Sequence, residues 1–257
     1  MRTRRLVSGL SGPATTRQEE GAVLASPRRT ALLTAVVVTL TAMVFVLVAV
    51  HGTLARIQRI DNGWLRLMVS GRTPLMTATA KVFNVLGLVY VTLPVRIALA
   101  GFLALRRRWW HLIAFTAAVV MSELLIGSLK DVYDRPRPPG SLVATSGGSF
   151  PSGHAIAASV TVVAAVIALV PAGRRRALWG AVAVAFAIVM GLSRAYLAAH
   201  WLSDAAAGIL LGISCALVTA LITDLFQRGW NDRRRERACQ NASLSSILPP
   251  QRAGAGQ

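Results

Sequence analysis

The chain has 257 residues, 54% hydrophobic and only 15% charged, with a net charge of +18. A soluble domain of this size carries about 25% charged residues, so this balance, with a mean hydropathy of +0.55, points to a membrane protein. Its basic excess would suit nucleic acid on a polar domain, but here it lies in short runs between apolar segments, where it sets membrane orientation; no nucleic-acid partner is expected.

Residues 1–29 are rich in Arg, Ser and Gly and include Arg2, Arg4, Arg5, Arg28 and Arg29. They are expected to be a disordered basic tail. The apolar run Thr30–Val50 is long enough to span, and the polar tail ahead of it favours an uncleaved anchor over a secretory signal. Between His51 and Lys81, Leu54, Ile57, Ile60, Trp64 and Met68 recur at helical spacing, with Arg56, Arg59, Asp61 and Arg66 between them. That pattern suits a helix lying in the interface, or one packed as a cap on the bundle.

Val82–Leu105 is a second apolar run, broken by Pro94 and carrying Arg96. Trp109–Leu129, with Glu123, is a third, and Gly153–Val170, Ala177–Leu192 and Asp204–Phe226 complete six. Each reads as a helix by length and apolar continuity. The predicted architecture is therefore all-α and polytopic: a six-transmembrane-helix bundle over 30–226, with an interfacial helix after the first span. Residues 227–257 are expected to be a second disordered tail.

Arg96 and Glu123, ionisable within apolar runs on consecutive antiparallel helices, are expected to pair, unless Arg96 snorkels to the inner interface. Asp224 near the inner end of the last span reads as interfacial. Gly208 and Gly212, four apart, would permit close helix contact or are ordinary membrane glycines. Cys215 and Cys239 offer neither a disulfide framework nor metal-ligand spacing.

With the N-terminal tail in the cytoplasm, the Arg106–Arg108 loop, the Arg174–Arg176 loop and the Arg-rich tail after Arg228 fall inside as well. All inside segments are then basic. The expected placement is a multi-pass plasma-membrane protein, both termini cytoplasmic. Short loops and the lack of a eukaryotic sorting signal suit a bacterium.

Three polar strings then fall at outer helix ends: Lys130 to Arg137-Pro138, Pro151-Ser152-Gly153-His154, and Ser193-Arg194 through His200 to Asp204. Lys130, Arg137 and Arg194 gather three cations at one depth. Arg suits a tetrahedral oxyanion, since its planar fork donates two hydrogen bonds at once. Ser152 and Gly153 open the fourth span, where free N–H groups and the helix dipole favour an anion. Pro136, Pro138 and Pro139 stiffen the loop presenting Arg137. On a helix, His200 and Asp204 would share a face, and a carboxylate beside an imidazole fixes its tautomer. Such a histidine can attack phosphorus and form a phosphohistidine, with His154 free to protonate the leaving oxygen. The cations would stabilise the transferring phosphoryl group in the place Mg²⁺ holds in other phosphoryl-transfer sites, so neither metal nor cofactor is expected.

These strings resemble the three-part signature of the type 2 phosphatidic-acid phosphatases, a superfamily that shares its site with vanadium haloperoxidases and bacterial acid phosphatases. A Lys precedes Arg-Pro at the family spacing, Pro-Ser-Gly-His follows, and Ser-Arg, five residues, His, three residues and Asp complete it. By that resemblance His200 is the nucleophile, Asp204 its orienting carboxylate, and His154 the acid and later the base. Lys130, Arg137, Ser152, Gly153 and Arg194 would bind phosphate. The resemblance implies metal-independent hydrolysis of a lipid phosphate or diphosphate at the outer face. Polyprenyl diphosphate, phosphatidic acid and phosphatidylglycerol phosphate all fit. Phosphotransfer to a lipid or sugar acceptor, or non-catalytic anion binding by a retained fold, are the alternatives.

Overall fold

The structure is a computed structural model that describes Val23, Leu24 and residues 26–247. The expected disorder of 1–22 and of 248–257 lies outside the described residues. Among the described residues the regular elements are all helices: α1 (Pro27–Ala49), α2 (His51–Ser70), α3 (Pro74–Leu86), α4 (Val89–Leu105), α5 (Trp109–Tyr133), α6 (Gly153–Leu169), α7 (Arg174–Tyr196) and α8 (Leu202–Ile247).

By length and apolarity α1, α5, α7 and α8 can each cross a membrane, and α3 with α4 makes a fifth crossing if the pair is one span bent by 52°. The bend corrects the expectation at Pro94. That proline sits inside α4, and the break falls at Gly87–Leu88, where α3 ends and α4 begins. A proline tolerated within a helix need not end it when neighbouring helices hold the segment. The sixth expected span, α6, has 17 residues. It is buried on most sides and packs most extensively against α8, α7 and α5.

The α6–α8 seam is the centre of the bundle. Ile156, Val160, Ala164, Leu211, Cys215 and Ala216 are buried there in one cluster with Phe115 and Ala118 of α5. Small residues set how closely the two helices approach. A Cβ on Gly208 would lie 2.7 Å from the Ser152 carbonyl oxygen, and one on Gly212 would lie 2.7 Å from that of Ile156. Both glycines therefore serve the close contact that was one of their two readings.

Two expectations fail at the inner end. The chain after Arg228 continues as helix to Ile247. A long helix already nucleated by its buried part propagates through residues such as Arg, Ala, Gln and Leu at little cost, and no proline intervenes before Pro249. Asp224 is not solvated at an interface but fully buried. It accepts from the Leu24 N–H at 3.0 Å and pairs with Arg228 at 2.6 Å. Arg228 and Arg176 also donate to the Leu24 and Val23 carbonyls, so the segment ahead of α1 is tied to α7 and α8.

Arg96 and Glu123 do meet, at 2.6 Å. Arg96 is buried and also donates to Thr161 Oγ1 at 2.9 Å and to the Ala157 carbonyl at 3.4 Å. It fastens α4 to both α5 and α6.

Candidate active site

Because the helices alternate in direction, the C-terminal ends of α5 and α7 meet the N-terminal ends of α6 and α8 at one end of the bundle. The basic runs at Arg106–Arg108, Arg174–Arg176 and Arg228 lie at the other. All three polar strings reach the first end. Two helix N-termini, those of α6 and α8, point their partial positive charge at the same place. The Ser152 N–H donates to the Asp204 carbonyl at 3.1 Å and joins these two starts.

The loop from Asp134 to Ser152 shapes the wall opposite. Asp134 ends α5 in the left-handed region, at φ 31°. Prolines at 136, 138 and 139 then carry the chain outward. The loop turns back at Gly147, whose φ of +64° favours glycine, and there the carbonyls face inward. Arg137 donates to those of Ser146 (2.7 Å), Gly147 (2.9 Å), Gly148 (3.1 Å) and, across the site, Ala199 (2.7 Å). A guanidinium fixed on four carbonyls is oriented before any ligand arrives.

His200 lies on the turn before α8 rather than within it. This corrects the reading that His200 and Asp204 share a helix face in direct contact. The His200 Nδ1 instead sits 2.7 Å from the Ser149 carbonyl, whereas the Asp204 carboxylate is 3.8 Å away. A carbonyl can only accept, so Nδ1 carries the proton and Nε2 keeps its lone pair. That Nε2 lies 3.4 Å from Arg137 Nη1, one of the three gathered cations. Burial holds the His200 imidazole below the usual histidine range, partly offset by the Asp204 carboxylate. The ring is therefore neutral near pH 7.

Asp204, fully buried, is occupied on both oxygens. Oδ2 accepts from the Trp201 N–H at 2.9 Å, closing the first turn of α8. Oδ1 accepts from Arg135 at 2.6 Å. Arg135 in turn pairs with Asp61 of α2 at 2.7 Å, bonds Gln58 and Ser203, and lies over the Trp201 ring. Ser203 completes the network through its N–H and hydroxyl, both donated to Asp61.

Arg194 and His154 fill the remaining side. Arg194 is 2% exposed and donates to Asn84 Oδ1 of α3. His154, in the first turn of α6, lies within electrostatic reach of Arg194, His200 and Lys130. Its ring packs so tightly on the α3–α4 break that a Cβ on Gly87 would fall 2.4 Å from its Cδ2. Lys130, in the last turn of α5, feels both Arg137 and Arg194.

The structure thus brings all eight residues singled out in the sequence to one place: Lys130, Arg137, Ser152, Gly153, His154, Arg194, His200 and Asp204. Among the described residues, six buried side-chain polar atoms find no partner, and three of them are Ser152 Oγ, His154 Nε2 and Arg194 Nε. Such atoms are costly to bury unless a ligand meets them. Here they surround three cations, which fits a phosphoryl group. No three His, Cys, Asp or Glu side chains among the described residues gather as metal ligands.

Residues 108–228 match the family model described as the PAP2 superfamily. The match spans just under half of the chain and takes in all three polar strings. Phosphatidylglycerophosphatase B of Bacillus subtilis (strain 168) is 26% identical over 162 residues, covering 61% of this chain and 80% of that protein. The crystal structure of a transmembrane PAP2-type phosphatidylglycerolphosphate phosphatase from Bacillus subtilis superposes with a TM-score of 0.63 at 22% identity. It covers 76% of this chain and 96% of the other, a likeness of fold. Aquifex aeolicus LpxE superposes with a TM-score of 0.50 at 26% identity, over 60% of this chain and 91% of that one.

Sequence reasoning missed Asp61, Gln58, Asn84, Gly87, Arg135, Ser149 and Ser203. Two left signals. Asp61 falls on the apolar stripe of α2, four residues after Ile57 and three before Trp64, where an acid must be paired. Arg135-Pro136 repeats Arg137-Pro138, a doubling that marks a second fixed guanidinium. Ser149 acts through its backbone, so no side chain announces it.

Proposed function

We propose that this protein is a membrane phosphatase of the PAP2 type that hydrolyses a lipid phosphate or diphosphate through a phosphohistidine on His200. The observation that carries this reading is the held imidazole. Its Nδ1–H is fixed on the Ser149 carbonyl, while its Nε2 lies 3.4 Å from Arg137, with Arg194 and His154 within electrostatic reach of the ring. Anion binding alone needs no oriented nucleophile.

In the first half-reaction the Nε2–phosphorus bond forms and the bond from phosphorus to the lipid-side oxygen breaks. His154 gives that oxygen its proton. An arriving phosphate dianion offsets the cations around His154 and favours the protonated ring this step needs. In the second half, His154 takes a proton from water as the water attacks phosphorus, and His200 leaves. Lys130, Arg137, Arg194 and the N–H groups opening α6 meet the oxygens on which charge builds. Asp204, through Trp201 and from 3.8 Å, steadies the imidazole and the charge it gains.

The substrate's tail stays in lipid while its headgroup enters the cluster. We take α6, at the short end of the spanning range, as the sixth crossing and α2 as a helix lying at the interface over the site. With the basic runs inside, the site opens on the extracellular or periplasmic face. The relatives named above support a lipid substrate, and phosphatidic acid, phosphatidylglycerol phosphate and polyprenyl diphosphate are the compounds to try.

The test is phosphate release from those three lipids in detergent containing EDTA, with wild type beside His200→Ala. Turnover by wild type alone, with phosphate trapped on the protein in acid-labile form, is the expected result. Undiminished release by folded His200→Ala would remove the phosphohistidine from the mechanism.

A further inference from the structure

A second cationic feature lies one helical turn from the phosphate cluster, outside every signature motif. An open cavity of about 500 Å³ is lined by Arg72, Thr73, Thr77, Lys81 and Leu142. Its two charged lining residues are both cations. Among the described residues neither Arg72 nor Lys81 has a carboxylate partner. The Arg72 Nε is buried without a hydrogen-bond partner, and its Nη2 makes one long contact, 3.4 Å, to the Tyr196 carbonyl.

The cavity is joined to the site by α3. Thr77, Lys81 and Asn84 are spaced four and three apart, so they share one face. Thr77 Oγ1 meets the Tyr196 hydroxyl at 3.0 Å, and Asn84 holds Arg194. Lys81 sits between them on the same stripe, about 4.5 Å along the axis from Asn84 by the rise of an α-helix. On the far wall, the Leu142 N–H donates to the Leu197 carbonyl at 2.9 Å, so the segment carrying Arg194 and His200 also closes the cavity.

Two unpaired cations beside a site that takes one phosphate call for a second negative group on the same ligand. We propose that the Arg72–Lys81 cavity is a headgroup subsite for a second phosphate, one carried by the substrate beyond the phosphate that His200 attacks. This rests on the hydrolase reading above for its substrate, though not for its geometry. The favoured substrates are then lipids with two phosphates, either adjacent or separated by a short bridge such as glycerol, over lipids with a single terminal phosphate.

The experiment compares wild type with Arg72→Gln, Lys81→Gln and the double variant. First, kcat/KM is measured for phosphatidylglycerol phosphate, for a polyprenyl diphosphate and for phosphatidic acid. The ratio of either two-phosphate lipid to phosphatidic acid is expected to fall about tenfold in each single variant and about 30- to 100-fold in the double, the scale of lost charge-assisted bonds in a half-open site. The more affected of the two lipids gives the spacing. A ratio unchanged in the double variant, whatever the absolute rates, overturns the subsite; equal losses on all three would mean that the cations only draw anionic headgroups to the surface.

A second measurement needs no turnover: protection against thermal unfolding by inorganic pyrophosphate and by inorganic phosphate at matched ionic strength. Wild type should bind pyrophosphate about tenfold more tightly than phosphate, and the double variant should lose that advantage. If no lipid is hydrolysed yet this advantage appears and is lost as stated, the hydrolase reading fails and the subsite stands. If pyrophosphate has no advantage in wild type, or keeps it in the double variant, the subsite fails.

Discussion

The α6–α8 seam gives a sharp test, because three glycines of one helix should respond to the same substitution with different signs. Gly208, Gly212 and Gly229 all lie in α8, and alanine at an open helical position gains about 0.5–1 kcal/mol over glycine. At Gly229 a Cβ would meet nothing within 4 Å, so Gly229→Ala should show that gain. At Gly208 the same Cβ would lie 2.7 Å from the Ser152 carbonyl oxygen and 3.0 Å from Ala155 Cβ. At Gly212 it would lie 2.7 Å from the Ile156 carbonyl oxygen and 2.9 Å from the Val160 nitrogen, besides colliding with the Ser159 hydroxyl. Backbone cannot rotate aside, so the helices must part by about 0.7 Å, enough to forfeit a quarter to a half of each dispersion contact along the seam.

Overpacking of this kind costs about 1–3 kcal/mol. Even after the propensity gain, Gly212→Ala should lose about 1–2 kcal/mol, with Gly208→Ala close behind. By the scale of soluble domains this is a fall in Tm of about 2–8 °C, against a rise of about 1–4 °C for Gly229→Ala. The assay is thermal unfolding in detergent micelles, with phosphate release measured on the same samples. Gly208→Ala should also slow turnover, because it pushes Ser152 and the start of α6 away from the start of α8, beside which His200 sits. If all three variants shift Tm in the same direction by similar amounts, the helices do not meet at these glycines and the seam is wrongly placed.

Gly87→Ala should spare stability and damage catalysis. Its backbone, at φ −87°, suits alanine, and only the His154 ring must move; a misplaced acid should cost about tenfold or more in kcat/KM, and an unchanged rate would mean that His154 is not held there. Arg135→Met leaves Asp61 and Asp204 buried without their cation, so a loss of about 3–5 kcal/mol is expected in chemical unfolding. Asp61→Asn with Arg135→Met should restore part of it, and a double variant no better than the single would count against the network. If His200 is the nucleophile proposed above it must be neutral to attack, and the acid limb of kcat/KM then reports its titration; since burial holds its pKa below the ordinary value of about 6.5, activity should persist below that pH. Asp204→Asn removes the charge that pulls this pKa upward, so the limb should move further acid while the rate drops, and movement toward alkaline pH would refute the assignment. For Arg96 and Glu123, a double-mutant cycle should give a coupling of about 1 kcal/mol or less, since Glu123 is 52% exposed; Arg96→Met should cost more than Glu123→Gln, because only Arg96 also ties α6.

The sequence by itself determined the membrane class and the helical character of the chain, and it singled out eight polar residues that the fold gathers at one end of the bundle. Hydropathy is summed along the chain, so a run such as Thr30–Val50 declares itself without knowledge of its neighbours. Lys130, Pro151-Ser152-Gly153-His154, Arg194 and His200 were legible for a related reason: each stands at the end of an apolar run, and alternating helix directions must carry such ends to one side. The tertiary structure decided everything that depends on partners distant in sequence. Asp61 and Arg135 are 74 residues apart, and Asn84 and Arg194 are 110 apart. Spacing also misled where it assumed regular helix: His200 sits one residue outside the turn that would have aimed it at Asp204, so a backbone carbonyl at Ser149 holds the imidazole. The break at Gly87 was hidden, and the two readings of Gly208 could not be separated, because a glycine's role depends on what would meet a side chain it does not have, and only the packed neighbours supply that.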